Sequence, residues 1–342
     1  MAVVSLARAT NCNGVASAAS DIALPAQAAV AQALGLPGPS PETVLVARRK
    51  DLVAHRLTTA GVPTPKTMAV KEGSPDAIGG YPLVVKPSQG AGGRGVTIVR
   101  QAADHLDAID RALEYGPALY QTFVDGLPVG VEAFVVEGVV RRCFVFEDQM
   151  GATFPSPLGH ATPTAFSAAE LVRIERVVQD VVNALQLADG GVNLDLRWTG
   201  EGPVVLEVNP RAGGALLSPL VREAYGVDLC AATVCVALGR DPSPHLTLTR
   251  DQAAATRLFV RKGRGPIRAT SSTAIDDIKR RFADPRVIEG QCNLREGHPA
   301  TTAIDHWSIL GHCLVTADTR DEAIALATEI DDDVRAAFEV LP

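Results

Sequence analysis

Residues 81–100 read YPLVVKP, then SQGAGGRG, then VTIVR, so two apolar, β-branched runs flank a run of glycines. The flanks at 83–86 and 96–99 predict strands, and the glycines predict the loop between them. A second pair of short runs, 192–197 and 204–208, surrounds a Gly-containing turn and predicts a hairpin. Residues 131–146, inside the runs VEAFVVEG and VVRRCFVFE, predict two more strands joined at Glu137-Gly138. Helical spacing shows in Leu171, Ile174, Val177, Val178, Val181 and Leu185, after a capping box of Ser167 and Glu170. Further helices are expected at 26–34 with Gly35 as stop, and from Ser40 and Pro41 through Lys50 to Gly61. Others are expected at 102–114, 217–225, 227–239 and from Thr319, with Glu322 at N3, while 15–19, 119–124 and 307–315 read as strands. Strands and helices mixed in this way predict an α/β (α+β) class.

Strand side chains alternate with period two, so Glu207 and Asn209 share a face, with Asp195 on the partner strand and Arg211 just beyond. Two carboxylates and a carboxamide are hard oxygen ligands of the kind that hold Mg²⁺ together with substrate phosphates. The same residues also suit a solvated cross-strand ion pair. Gly90, Gly92 and Gly95 satisfy G-x-G-x-x-G, yet a strand follows where a dinucleotide fold requires a helix. The element is therefore a strand–loop–strand flap. Its backbone N–H groups can approach phosphate oxygens, and Lys86 on the preceding strand can reach them as a point charge. A surface hairpin is the alternative for the loop alone. Flap and acidic hairpin in one chain point jointly to a nucleoside triphosphate.

The chain has 342 residues, enough for two or three domains. Its net charge of −7, without a long basic run, argues against nucleic acid or an anionic membrane as partner. Six scattered cysteines suit a reducing cytoplasm, with Cys230 and Cys235 expected as packed core thiols. No apolar run reaches the length of a membrane span, so a soluble cytoplasmic protein is expected.

The order Lys50, VVKPSQGAGGRGV, YQTFVDG, NLDLR and LEVNPRAGG resembles the ATP-grasp enzymes, especially carboxylate–amine ligases of the L-amino acid ligase type. Biotin carboxylase and carbamoyl-phosphate synthase are relatives in that superfamily. The resemblance implies an ATP-grasp fold: a flap subdomain at 67–123, a metal-binding main subdomain at 124–250 and a small C-terminal α+β domain at 251–342. Residues 40–66 would be a linker helix, and 1–39 a remnant of an N-terminal α/β domain that normally runs to roughly a hundred residues. A homodimer, or a partner supplying the missing domain, is the corresponding expectation.

The implied reaction joins a carboxylate, of an amino acid, to an amine through an acyl phosphate with release of ADP. It requires ATP and one or two Mg²⁺, with Mn²⁺ as a substitute. Two unit charges about 4 Å apart repel by roughly 4 kcal/mol at an effective dielectric of about 20, so cations must gather where triphosphate and carboxylate meet. The resemblance supplies them as Lys50 and Lys86 on the phosphates, covered by Ser88, Gly90, Gly92, Gly93, Arg94 and Gly95. Asp195, Glu207 and Asn209 would hold metal, while Arg211 and Lys86 would be catalytic. Gln121, with the backbone near Phe123 and Val124, would receive adenine. Glu132, Arg142, His160, Arg211, Gly213, Gly214 and Ser218 are the substrate candidates. Pro128 stands where the family pattern places a ribose-binding glutamate, unless Glu132 takes that part. Two rival readings are a degenerate ATP-binding or regulatory module and a bicarbonate- or carbamate-activating carboxylase.

Overall fold

The computed structural model describes residues 2–19, 21–151, 156–260, 265–293, 299–300 and 309–340. It divides into two compact units, one of 1–145, 165–214 and 227–247, the other of 146–164, 215–226 and 248–342.

The first unit holds the flap and the acidic hairpin. In the flap, four antiparallel strands lie in the order Thr67–Ala69, Ala118–Thr122, Leu83–Pro87, Thr97–Val99. Leu83, Val85, Val99 and Tyr120 bury with Ala108 and Ala112 of the helix His105–Leu113. Gly95 is tied to that helix: a Cβ there would come within 3.0 Å of the Arg111 carbonyl oxygen. The glycine run therefore leaves the strand Leu83–Pro87 and returns to the strand Thr97–Val99 over a fixed base.

The other sheet segment of this unit pairs Leu127–Val136, Gly190–Thr199 and Gly202–Asn209 antiparallel. Alternation decides what each face does. Val129, Val131, Ala133 and Val135 join Val192, Leu194 and Leu196 in one core with Ile174, Val178, Val181 and Leu185 of the helix Ala168–Leu185. Gly130 pairs with Asp195, Glu132 with Asn193, Asp195 with Glu207 and Asn193 with Asn209. These polar residues occupy the opposite face. The capping box at Ser167 and Glu170 is formed. Glu137 and Gly138 both have positive φ, as a two-residue hairpin turn demands.

Two expectations are corrected in this unit. Residues 15–19 form no strand; the helices Ala2–Ala9 and Leu24–Leu34 flank an irregular stretch. The helix expected from Ser40 to Gly61 is two helices, Pro41–Ala47 and Lys50–Thr59. Arg49 is extended, because the Lys50 N–H donates to the Ser88 carbonyl at 2.9 Å instead of to its own helix. That exchange places Lys50 at a helix start.

The second unit pairs Pro157–Thr162, Ala253–Val260, Ile309–Ala317 and Val287–Cys292 antiparallel, in that order. The helix Arg320–Ala336, capped by Thr319 and Glu322, buries Ala323, Leu326, Ala327, Ile330 and Val334 with Ala255, Phe259, Cys313 and Val315. The start of the strand expected at 307–315 lies outside the described residues. Leu217–Tyr225 is helical as expected. Cys230, expected in the core, is exposed, and Cys235 is half-buried.

If the alternating pattern sets the core, fully buried Ile174 should matter more than the surface cap. Ile174→Ala should lose about 2–5 kcal/mol, and Ser167→Ala about 1 kcal/mol. Urea denaturation ranks the two; a smaller loss for Ile174→Ala would contradict the packing described.

Candidate active site

Lys50 sits where three parts of the first unit meet. Its Nζ donates to the Gly90 carbonyl at 2.8 Å and lies 3.3 Å from Glu207 Oε1. Its backbone N–H holds Ser88, whose own N–H donates to the Pro117 carbonyl at 2.8 Å. One residue thus joins the start of a helix, the glycine run and the acidic hairpin. The run between Ser88 and Val96 takes positive φ at Gly90, Gly92, Gly93 and Gly95, a sequence of conformations that L side chains resist. Arg94 is half-buried within it. Ser88 Oγ is buried without a hydrogen-bond partner, and a buried hydroxyl left so is costly unless a ligand completes it.

Lys86 lies two residues before Ser88, on the strand Leu83–Pro87, and is 5% exposed. Burial pushes its ammonium down to about 8; Glu207 opposes that, Lys50 reinforces it and Asp195 opposes it. Burial pushes the Glu207 carboxyl up, but Lys50, Lys86 and Arg211 outweigh it and hold the group below the usual carboxylate range. Two lysines, an arginine and two carboxylates therefore form one electrostatic cluster.

On the hairpin, Asp195 and Glu207 stand opposite each other in register. Asn209 donates through Nδ2 to Asn193 Oδ1 at 3.1 Å, which commits its nitrogen and leaves its oxygen as the free end of the amide. Two carboxylates and an amide oxygen are a donor set that fits Mg²⁺, an ion that keeps few protein ligands and completes its shell with water and phosphate. Among the described residues no group of three or more His, Cys, Asp or Glu side chains gathers as a metal cluster. The pair of carboxylates here matches that economy.

Arg211 is half-buried and bound to Asp21, Nε to Oδ1 at 2.7 Å and Nη2 to Oδ2 at 3.1 Å, while Nη1 donates to the Ala212 carbonyl at 3.1 Å. Glu132 is fully buried and accepts the Gly213 N–H at 2.9 Å. Gly214 follows in the same loop. Gln121 is buried and donates to Thr67 Oγ1 at 3.1 Å; Phe123 and Val124, half-buried, continue from its strand, with Arg100 over the Phe123 ring. Pro128 pairs with Arg197 on the adjacent strand.

The structure brings together Lys50, Lys86, Ser88, the glycines, Asp195, Glu207, Asn209 and Arg211 within the first unit. His160 and Ser218 belong to the second unit. His160 is buried with Nδ1 2.6 Å from Asp148 Oδ1, and its N–H donates to Thr256 Oγ1. Arg142 donates to the Leu246 carbonyl at 2.6 Å, as a structural link would. Sequence reasoning missed Asn193 and Asp21. Asn193 was within reach, since it shares the alternation of Asp195; Asp21 carried no signal, lying 190 residues from its partner.

Residues 47–215 match the ATP-grasp domain family, and 273–339 match L-amino acid ligase C-terminal domain 2. An uncharacterized protein, y4rH of Sinorhizobium fredii, is 31% identical over 84% of this chain and 60% of its own length. Carnosine synthase 1 of Homo sapiens is 33% identical over 63% of this chain and 30% of its own length. The chain therefore spans less than two thirds of either relative. The crystal structure of L-amino acid ligase from Bacillus licheniformis superposes with a TM-score of 0.82 at 21% identity, covering 99% of this chain and 83% of that one. The fold is the ATP-grasp fold.

An anion binds best to protonated Lys86, so it raises that pKa and is held less well as pH climbs through about 8. With metal omitted, calorimetry should find ADP affinity level at lower pH, then falling by up to about tenfold per pH unit as the one proton is lost. Lys86→Arg should abolish the dependence. A flat profile in the unmodified chain would contradict the assignment.

Proposed function

We propose that this chain, whose residues 47–215 are an ATP-grasp domain, is an ATP- and Mg²⁺-dependent ligase joining a carboxylate to an amine with release of ADP. The carboxylate in this reading belongs to an amino acid, which the match of 273–339 to an L-amino acid ligase domain favours. The observation that carries the reading is the Lys50 junction, where one ammonium contacts both the glycine run and Glu207. An anion covered by the glycine run would there lie beside the acidic hairpin.

Each group then has a physical task. Lys50 and Lys86 neutralise phosphate charge, and the N–H groups of Gly90, Gly92, Gly93 and Gly95 bind phosphate oxygens. The Ser88 hydroxyl donates to the same anion and so gains its missing partner. Arg94 reaches the outer phosphate, and Gln121 with the backbone at Phe123 and Val124 receives the base. Asp195, Glu207 and Asn209 hold Mg²⁺, which when bound neutralises the phosphates and aligns the transferred group. The carboxylate attacks the γ-phosphorus as the bond to the ADP oxygen breaks. Arg211 stabilises the transferring phosphoryl group, then the oxyanion formed when the amine adds to the acyl carbon. Loss of a proton from the amine and departure of phosphate complete the bond. Glu132 fixes the Gly213 N–H that borders this position.

Because Pro128 offers no acceptor in place of a glutamate, ribose is held without a charge-assisted hydrogen bond, each of which contributes about 1.5–3 kcal/mol. The substrates are small molecules and the setting cytoplasmic, in keeping with the absence, among the described residues, of a helix long and apolar enough to cross a membrane.

A screen of amino-acid pairs for ADP release tests the reading. ADP should appear only with a competent carboxylate and amine. Glu207→Gln should abolish turnover with the fold intact by circular dichroism. Arg211→Lys should lower turnover about a hundredfold, on the scale of one lost oxyanion donor, while leaving Mg-ATP binding near normal. ADP release indifferent to amino acids, or a near-normal rate in Glu207→Gln, would overturn it. The missing ribose acceptor should also leave little discrimination between ATP and 2′-deoxy-ATP in binding; a preference for ATP above about tenfold would contradict that account of the hinge.

A further inference from the structure

Arg211 has five N–H groups in a planar fork. Three are committed: Nε and Nη2 to the two oxygens of Asp21, and Nη1 to the Ala212 carbonyl. The Nε/Nη2 edge is filled by the carboxylate, so one hydrogen on each of Nη1 and Nη2 is uncommitted, and the one on Nη2 points along the end of the guanidinium. These two hydrogens are left for an anion.

The segment that carries Asp21 is fitted to this loop by a second contact. The Ala19 N–H donates to the Ala212 carbonyl at 3.1 Å, the same oxygen that receives Arg211 Nη1. Ala19 takes a positive φ of 58°, a conformation costly for a residue with a Cβ. The pair is shielded from water, with Arg211 9% and Asp21 17% exposed at the side chain. A long arginine side chain is thereby reduced to one orientation.

We propose that Asp21 is the positioning residue for Arg211: it holds the guanidinium by one edge so that the remaining Nη1 and Nη2 hydrogens are presented to the transferring phosphoryl group and the later oxyanion. The inference rests on the role given to Arg211 above. It assigns part of the reaction's electrostatics to a segment that precedes the ATP-grasp match at 47–215. Asp21 is not itself in contact with the reacting atoms. Its carboxylate also lowers the net charge that Arg211 presents, so the gain is in orientation rather than in field strength.

The test uses the full chain with Asp21→Asn, Asp21→Glu, Arg211→Lys and the double variant Asp21→Asn/Arg211→Lys. Turnover is ADP release with the amino-acid pair found active in the screen. Asp21→Asn should lower kcat about ten- to a hundredfold with the KM for Mg-ATP changed less than about twofold, the scale of a misplaced donor. Asp21→Glu should recover part of the loss. The double variant should be no slower than Arg211→Lys alone, because both act through one guanidinium. A second readout needs no substrate. The Arg211 Nε–H resonance, identified by its loss in Arg211→Lys, should be protected from exchange in the unmodified chain and unprotected in Asp21→Asn.

Unchanged kcat in Asp21→Asn would overturn the proposal. Faster turnover would overturn it in the opposite sense, making Asp21 an internal competitor for the substrate's place. Independent, multiplying losses in the double variant would reduce Asp21 to a structural contact. An unmodified chain with no amino-acid-dependent ADP release would instead overturn the ligase reading and this catalytic consequence with it, and the resonance would still decide whether the ion pair exists.

Discussion

The ammonium group of Lys50 is the constraint on which the candidate site depends. It lies within hydrogen-bonding reach of the Gly90 carbonyl and 3.3 Å from Glu207, so it ties a loop of glycines to a rigid hairpin. Without a cation there, Glu207 would face a cost of burial with less to offset it, and the glycine run would lose its anchor on the main sheet. The helix start supports the arrangement. Lys50 gives its N–H to Ser88 rather than to Val46, which breaks the helix and swings the side chain into place. Lys86 adds a second cation that burial pushes down to about 8. Lys50 reinforces that lowering, so an anion bound by both ammonium groups would relieve their mutual repulsion.

The same strand alternation that builds the core also builds the site. On Leu127–Val136 and Gly190–Thr199, one set of positions is Val, Ala and Leu against the helix Ala168–Leu185, and the intervening set includes Glu132, Asn193 and Asp195. Every functional candidate on these strands is therefore held by a packed residue on each side. Hydrogen bonds finish the alignment: Asn193 orients Asn209, and Glu132 orients Gly213. Positioning of this kind matters because catalysis by electrostatics depends on donors that need not move when charge develops.

Glycine spacing, β-branched flanks and the alternation of Glu207 and Asn209 were visible in the sequence because each is a local rule. The capping boxes at Ser167 and Thr319 were visible for the same reason. What failed was long-range. The helix break at Arg48–Arg49 arises from the hydrogen bond of the Lys50 N–H to Ser88, 38 residues further along the chain, and no local propensity reports it. Residues 15–19 looked like a strand from composition, yet the stretch is irregular and ends by presenting Asp21 to Arg211. Cys230 looked apolar by its neighbours, but helical phase turns it outward. Asn193 was legible and passed over, since attention to charge hid an amide with the same facing.

The central claim is that a carboxylate oxygen becomes bonded to the γ-phosphorus of ATP. Incubation with an amino-acid carboxylate labelled in both oxygens with oxygen-18, followed by mass analysis of the released phosphate, tests that bond directly. One labelled oxygen per phosphate, with ADP as the other product, is the predicted result. Phosphate free of label, or AMP in place of ADP, would contradict the account.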